Sequence, residues 1–572
     1  MKTAGDKHWD VHGYDAARAG ALAAETGLSP VVAGLLVARG VTTKADVERL
    51  LNPSFEHLHD PALMLGMTDA TARVLRAVDS GEPILIYGDY DVDGTTGTVV
   101  LRRALSLLDA RTGFHVPHRF TEGYGIRQDV LERAQADGYK LVISVDCGIR
   151  AHEPLEWARA NGLDVIVTDH HLPDEAEGAP PAFAVLNANQ RGCNYPDKNL
   201  AGVGVAFKLA HSVLRARGRE HLMPGFLKVV AIGTVADVAP LVGENRAIVA
   251  LGLADLPNAT NPGLRALMEV AGVGDGRDMR CSDLGFRLGP RINAAGRMDA
   301  ARAVVELFET NDPAEARRLA QHLDARNRDR QVIQQQLTER ALADYELSGD
   351  CGAVAVVAGL GWHRGVVGLV ASKMAEKLGR PAVVISLDED GTGHGSARSA
   401  AGYHLLDGLT ACAHLFDSFG GHAQAAGLVI HRERIDELRR CLDEHASQRM
   451  TEADCRPTLH VDAELPASAL TLELAAALER LEPFGAQWPC PVFRTRDLRV
   501  LQEPRVLKER HLKIHVLGDD GRAHEALWWG GAQAATATPR PGDRIELAFE
   551  LERNTWRGEQ RLQLIVRDVR KQ

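Results

Sequence analysis

At 572 residues the chain is too long for one small domain, and at about 150 residues per domain it should hold three or four. Apolar residues at 45% and charged residues at 25%, with 55 Gly and 25 Pro, exclude a disordered or collagen-like chain. The net charge of −11 argues against a nonspecific nucleic-acid binder, yet residues 491–572 carry 16 Lys and Arg against 12 Asp and Glu, either a hint of polyanion contact or a solvated surface.

Eight cysteines with no C-x-x-C spell out neither a zinc ribbon nor a disulfide framework, and they fit a reducing compartment. The opening MKTAGDKHWDVHGYD carries Asp and His where a secretory segment would be apolar. No run of about 18 apolar residues occurs, so the expected location is cytoplasmic, with no membrane partner.

In chain order, residues 1–80 alternate helical apolar patterns with polar breaks and read as a helical lead-in. From Pro83 the pattern changes to short apolar runs, Ile84-Leu-Ile-Tyr87, Leu141-Val-Ile-Ser-Val145 and Val165-Ile-Val-Thr168, each flanked by helical patterns. Such runs are buried parallel strands, which makes residues 81–310 an α/β domain. Asp312, Pro313 and Glu315 offer a cap, a first helical position and a capping box for a helix reaching Leu347. At about 1.5 Å per residue it would span roughly 50 Å, so residues 311–348 could bridge two domains. Ala353-Val-Ala-Val-Val357 and Ala382-Val-Val-Ile385 flank a further helix in a second α/β domain, residues 349–450. Alternating runs such as Asp543-Arg-Ile-Glu-Leu-Ala-Phe549 and Arg561-Leu-Gln-Leu-Ile-Val566 predict a small antiparallel barrel over residues 456–572.

Chemistry gathers at the strand ends. Gly88-Asp-Tyr-Asp-Val-Asp-Gly94 puts three carboxylates at alternate positions; an EF-hand loop would need Glu at position 12, where Val100 stands. The second run ends in Asp146 and the third in Asp169-His170-His171, the end at which open parallel sheets place their ligand crevice. Asp237, in an otherwise apolar stretch, is costly to bury without a partner. Several carboxylates with one or two imidazoles favour Mn²⁺ or Mg²⁺ over structural zinc, and more ligands than one ion needs imply two. Two such ions can bridge a phosphate and generate a nucleophile from water, which is phosphoester hydrolysis.

The Asp91-x-Asp93 pair, Asp146, Asp169-His170-His171, Asp237 and the later Phe419-Gly-Gly-His-Ala-Gln-Ala-Ala-Gly427 together resemble the DHH phosphoesterase superfamily, and within it the bacterial exonucleases specific for single-stranded DNA. The resemblance covers nearly the whole chain. It implies a parallel-sheet DHH domain joined by a long helix to a DHH-associated domain, followed by an OB-like barrel. It implies that Asp91 and Asp93 divide between two metals, Asp146 bridges them, His170 and Asp237 complete the second, and His171 contacts the scissile phosphate. Many relatives carry a metal-binding His where this chain has Tyr87; Asp89 or water would fill that position.

The same resemblance assigns Arg119, Ser396, Arg398 and His422 to the substrate's phosphates and Arg291, more weakly, to the scissile one. Leu481-Glu-Pro-Phe-Gly485 and Gln563-Leu564 enter the comparison with the tail, although Gln487-Trp-Pro489 replaces the usual Gly-Asn-Pro and puts the local turn in question. Trp528, Trp529 and Trp556 offer either stacking surfaces or core packing. The implied activity is 5′→3′ hydrolysis of single-stranded DNA to 5′-mononucleotides, in recombination and repair, by a monomer working with a single-strand-binding protein and a helicase. A DHH hydrolase of short oligonucleotides or small phosphates, and an inactive single-strand-binding scaffold, are the rival readings.

Overall fold

The computed structural model describes residues 7–274, 279–298, 301–349, 352–400, 402–451, 457–532, 538–556 and 559–572. The chain divides into two compact units. The first comprises residues 49–330 with 481–489, and the second comprises residues 1–48, 331–480 and 490–572.

The N-terminal stretch expected to be helical opens with a strand, β1 (His8–Val11). Helices Ala16–Thr26, Pro30–Ala38, Lys44–Leu51 and Met67–Ser80 follow. Local pattern could not announce β1, because its parallel partner lies 450 residues on, Asp10 facing His460.

In the first unit, β2 (Ile84–Gly88), β3 (Thr112–His115), β4 (Leu141–Val145), β5 (Asp164–Thr168) and β6 (Ala184–Leu186) form one parallel sheet in the order β3-β2-β4-β5-β6. Both faces are covered, which is why the strands read as continuous apolar runs. Ile84, Ile86 and Ile143 enter one core, and Leu85, Tyr87 and Val142 enter the other. Strand order reverses between β2 and β4, so the crevice of the sheet opens beyond their carboxyl ends.

Residues 481–489 also belong to the first unit, although the sequence places them with the tail. The cause is Arg246, 6% exposed, whose guanidinium donates to the carbonyls of Leu481 (2.7 Å), Glu482 (2.9 Å) and Pro483 (2.9 Å). Trp488 packs against the same guanidinium at 5.0 Å, and Gln487 takes the turn in the left-handed region, φ 56°.

The long helix runs Pro313–Ser348, and the division between units falls within it. Asp312 caps it through Ala314 N–H (2.9 Å), while Glu315 pairs with Arg318 instead of closing a capping box. In the second unit, β7 (Ala355–Leu360), β8 (Ala382–Leu387), β9 (Thr392–Arg398), β10 (Phe416–Gly421) and β11 (Ala425–His431) form a mixed sheet ordered β10-β11-β9-β8-β7. Cys412 and Cys441 form a disulfide there, a pairing the scattered cysteines do not announce because packing of two helical segments brings them together. Cys351 and Cys455 lie outside the described residues.

The tail contributes β12 (Thr458–Val461), β13 (Ala463–Glu464), β14 (Phe493–Val500), β15 (Arg505–Leu507), β16 (His511–Leu517), β17 (Ala523–Trp528), β18 (Arg544–Trp556) and β19 (Glu559–Lys571). β14, β18, β19, β17 and β16 pair in that order, and β16 returns to β14, closing a five-stranded barrel. Only the β17–β19 pair in this barrel is parallel. That is the OB-like barrel the resemblance implies.

Candidate metal centre and active site

The turn after β2 delivers three carboxylates in three environments. Asp91 caps the helix Val92–Ser106 through Gly94 N–H (3.0 Å). Gly94 is required, since a Cβ there would lie 2.6 Å from Asp89 N. Asp93, the second residue of the helix, accepts from the N–H groups of Gly202 (2.6 Å) and Val203 (2.7 Å), the positive end of the helix Gly202–Ala216. Burial and the Asp91 charge nevertheless push Asp93 up to about 7. Asp89 is buried beside Asp91 and is held well above the carboxylate range by burial first and that charge second.

Asp146 follows β4 in the left-handed region, φ 61°, and its Oδ1 approaches His170 Nε2 to 3.2 Å. Burial, with the charges of Asp93, Asp91 and Asp89, pushes it far up. Asp237 ends the helix Leu227–Ala236, with Oδ2 3.9 Å from His170 Nε2; burial and the charges of Asp93 and Asp91 push it up to about 9. Burial and the neighbouring His171 lower His170 to about 4, leaving a neutral ring able to ligate.

Asp169 has a different task from its neighbours. Its Oδ1 accepts from the backbone N–H groups of His170 (2.8 Å) and His171 (3.1 Å) and from His171 Nδ1 (2.8 Å), and its Oδ2 accepts from Ile149 N–H (3.0 Å). Burial alone would raise Asp169, but the bond and charge of His171 hold it below the usual range. Reciprocally, burial would depress His171, and Asp169 raises it instead. The Nδ1–Asp169 bond fixes the ring and leaves Nε2 for another partner.

Two neighbouring donor sets result: Asp89, Asp91 and Asp146, and Asp93, His170 and Asp237, with ligand atoms in each within 4.8 Å of one another. Asp146 and His170 also group with His171, so Asp146 stands between the two. Asp89 Oδ1, Asp146 Oδ1 and His170 Nε2 are buried with no hydrogen-bond partner, a cost that bound cations offset. Oxygen-rich donors with one imidazole per pair of ions fit Mn²⁺ or Mg²⁺.

Beside these ligands a cavity of about 230 Å³ is lined by Arg119, Tyr124, His171, Asn293 and Arg297 among others. Arg119 stacks over the Tyr90 ring at 4.8 Å. Arg291 does not line this cavity: it is held by Asp324 (2.9 Å) and the carbonyls of Arg287 (2.7 Å) and Val270 (3.3 Å). Asn293 and Arg297 take its place, four residues apart on one face of the helix Gly289–Arg297. That helix packs on the acidic turn, where a Cβ on Gly296 would lie 2.3 Å from Tyr90 O. The i, i+4 spacing beside a glycine is the signal in the sequence that marks them.

The remaining anticipated residues lie in the second unit. Ser396 and Arg398 share one face of β9, with Gly368 opposite, where a Cβ would be 3.1 Å from Arg398 Nη2. His422 is exposed in the turn joining β10 to β11, beside Ala425, which pairs with Arg398. In the barrel Trp528 is core and Trp529 is exposed; the Trp556 side chain lies outside the described residues.

Family models for the DHH family N-terminal domain, the DHHA1 domain and the RecJ OB domain match residues 83–234, 349–448 and 461–568. The chain is 38% identical over 565 residues to the single-stranded-DNA-specific exonuclease RecJ of Dickeya dadantii, covering 93% of this chain and 94% of that one. The RecJ of Escherichia coli is 36% identical over 573 residues, with 95% and 96% covered. A crystal structure of RecJ in complex with Mn²⁺ from Thermus thermophilus superposes with a TM-score of 0.84 at 30% identity, covering 99% of this chain and 80% of that one. A second from the same organism, in complex with Mg²⁺, gives 0.78 at 28% identity, with 99% and 79% covered. With three matching domains in order and relatives matched over nearly their full length, the chain belongs to the RecJ family of DHH phosphoesterases.

Proposed function

We propose that this chain hydrolyses single-stranded DNA from its 5′ end to 5′-mononucleotides, using two divalent ions, Mn²⁺ or Mg²⁺, in cytoplasmic recombination and repair. The observation that carries this is the pair of donor sets meeting at Asp146, with buried oxygens and an imidazole nitrogen left for cations. Divalent ions held there would supply an activated water and charge neutralisation at the phosphate.

Asp89 and Asp91 would hold one ion and Asp93, His170 and Asp237 the other, with Asp146 shared between the two donor sets. His171, oriented by Asp169, offers Nε2 to an oxygen of the scissile phosphate. Arg119 binds the same strand's phosphate bidentately, a task its planar fork suits, and Arg297 supports it from the cavity wall. Ser396, Arg398 and His422 hold other phosphates of the substrate, and the barrel offers Trp529 for base stacking. The protein acts as a monomer and meets a single-strand-binding protein and a helicase on its substrate.

Substrate choice is the test. The purified chain with Mn²⁺ should degrade a long single strand and leave a blunt duplex of the same sequence intact. Equal degradation of both would refute the strand specificity. Preference for dinucleotides would instead make it a hydrolase of short oligonucleotides, and binding without cleavage a scaffold.

A further inference from the structure

β1 is held by its inner face. Trp9 is buried in a small core with Val461, Val492 and Ala548; its Nε1 donates to Asp568 (2.8 Å), and Arg570 lies over its ring at 4.3 Å. Strand alternation sends Asp10, and His12 just past the strand end, to the opposite face. Beside them β12 runs parallel, with Asp10 facing His460 and buried Val461 anchoring that strand in the same core.

On this outer face Asp10 Oδ2 lies 3.1 Å from His12 Nε2 and 3.2 Å from His460 Nδ1, and the two ring nitrogens are 3.3 Å apart. The three ligand atoms make a nearly equilateral triangle. Donors arranged tetrahedrally at about 2.0 Å from an ion stand about 3.3 Å from one another, so the triangle matches one face of that polyhedron. Without an ion, the two ring protons of neutral histidines can satisfy only two of its three edges. The side chains are 42–70% exposed, which leaves a fourth position open to water.

We propose that Asp10, His12 and His460 bind one divalent transition-metal ion of the zinc type, at a site built from residues other than the catalytic cluster. Two imidazoles and one carboxylate select Zn²⁺, Co²⁺ or Ni²⁺ over Mg²⁺, whereas the catalytic cluster is dominated by carboxylates. The ion clips the N-terminal strand to the segment that leads into the barrel. Its backbone is already fixed on both strands, so little ordering remains when it binds.

The test is a Co²⁺ titration of the full chain followed by visible absorption, comparing wild type with His12→Ala and His460→Ala. Wild type should bind one equivalent more than either variant, and the difference spectrum should carry the intense bands of tetrahedral Co²⁺. Zn²⁺ should erase those bands and excess Mg²⁺ should not. The bands should persist in Asp146→Ala, which separates this site from the catalytic one, and both histidine variants should keep Mn²⁺-dependent turnover. Equal stoichiometry in wild type and variants, or bands that survive both histidine substitutions, would overturn the proposal.

Discussion

Replacing Gly202 by alanine drives a methyl group into Asp146. The added Cβ would lie 2.7 Å from Cβ and Oδ1 of that residue and 2.9 Å from its Cγ. Carbon atoms in contact prefer about 3.5–4.0 Å, so Asp146 must retreat by about 1 Å. It has no easy way to do so, being buried and fixed in the left-handed region at φ 61°. The backbone itself accepts alanine, because Gly202 is helical and alanine is the better helix former by about 1 kcal/mol. Overpacking costs about 1–3 kcal/mol, so the fold survives. The site does not, since a misplacement of about 1 Å costs on the order of 100-fold in rate. Gly202→Ala should therefore lower kcat about 100-fold and weaken Mn²⁺ binding, measured by single-turnover digestion of a labelled strand and by calorimetry. Gly204→Ala is the control, meeting only Leu200, with Cδ2 at 3.3 Å and Cβ at 3.5 Å and no metal-binding residue, and should keep wild-type rates. Wild-type turnover and Mn²⁺ affinity in Gly202→Ala would refute the placement of Asp146 as the shared ligand.

In the metal-free protein Asp93 is raised to about 7 and Asp237 to about 9, both above the value near 4 of an unfolded aspartate. Through these two groups the folded chain holds more protons than the unfolded one, and His170, lowered to about 4, opposes them only below its ordinary value of 6.5, so the thermal midpoint should fall as pH rises from about 6.5 to 9. Saturating Mn²⁺ should remove most of the fall, and a flat metal-free profile would contradict the crowding of carboxylates. Arg246→Ala removes the guanidinium donor from the carbonyls of residues 481–483, of which Leu481 O keeps the Trp488 Nε1–H bond (3.1 Å), and should cost about 1.5–3 kcal/mol in urea unfolding; under about 1 kcal/mol would show that this segment is not pinned there. Asp89→Ala should lower Mn²⁺ stoichiometry, and unchanged binding and turnover would return that position to water. Arg398→Ala and His422→Ala should raise KM for DNA with Mn²⁺ binding intact, and an unchanged KM would remove both from the substrate path.

The acidic centre was legible because each buried strand ends abruptly in a charged residue, and a parallel sheet brings those ends to one edge. Asp169 shows the limit of that logic: it sits at a strand end like Asp146, yet spends its oxygens on backbone N–H groups and His171, orienting a neighbour. Arg291 lies off the cavity through helical phase. It lies two residues from Asn293, which at about 100° per residue is far round the helix from the face that Asn293 and Arg297 share. Two further features depend on partners remote in sequence. β1 needs Thr458–Val461, and the Leu481-Glu-Pro-Phe-Gly485 segment needs Arg246, so neither pattern alone reveals where it packs. The glycine-rich stretch Phe419–Gly427, part of the resemblance, pairs for most of its length as the β10–β11 hairpin, with His422 exposed in its tight turn.

The most direct test of the two-ion exonuclease reading is digestion of one single-stranded oligonucleotide, labelled at either end, by wild type and Asp146→Ala with Mn²⁺ or EDTA. The account predicts labelled mononucleotide at once from the 5′-labelled strand, progressive shortening of the 3′-labelled one, and neither with EDTA or Asp146→Ala. Release from the 3′ end first, or cleavage that persists without metal or without Asp146, would contradict it.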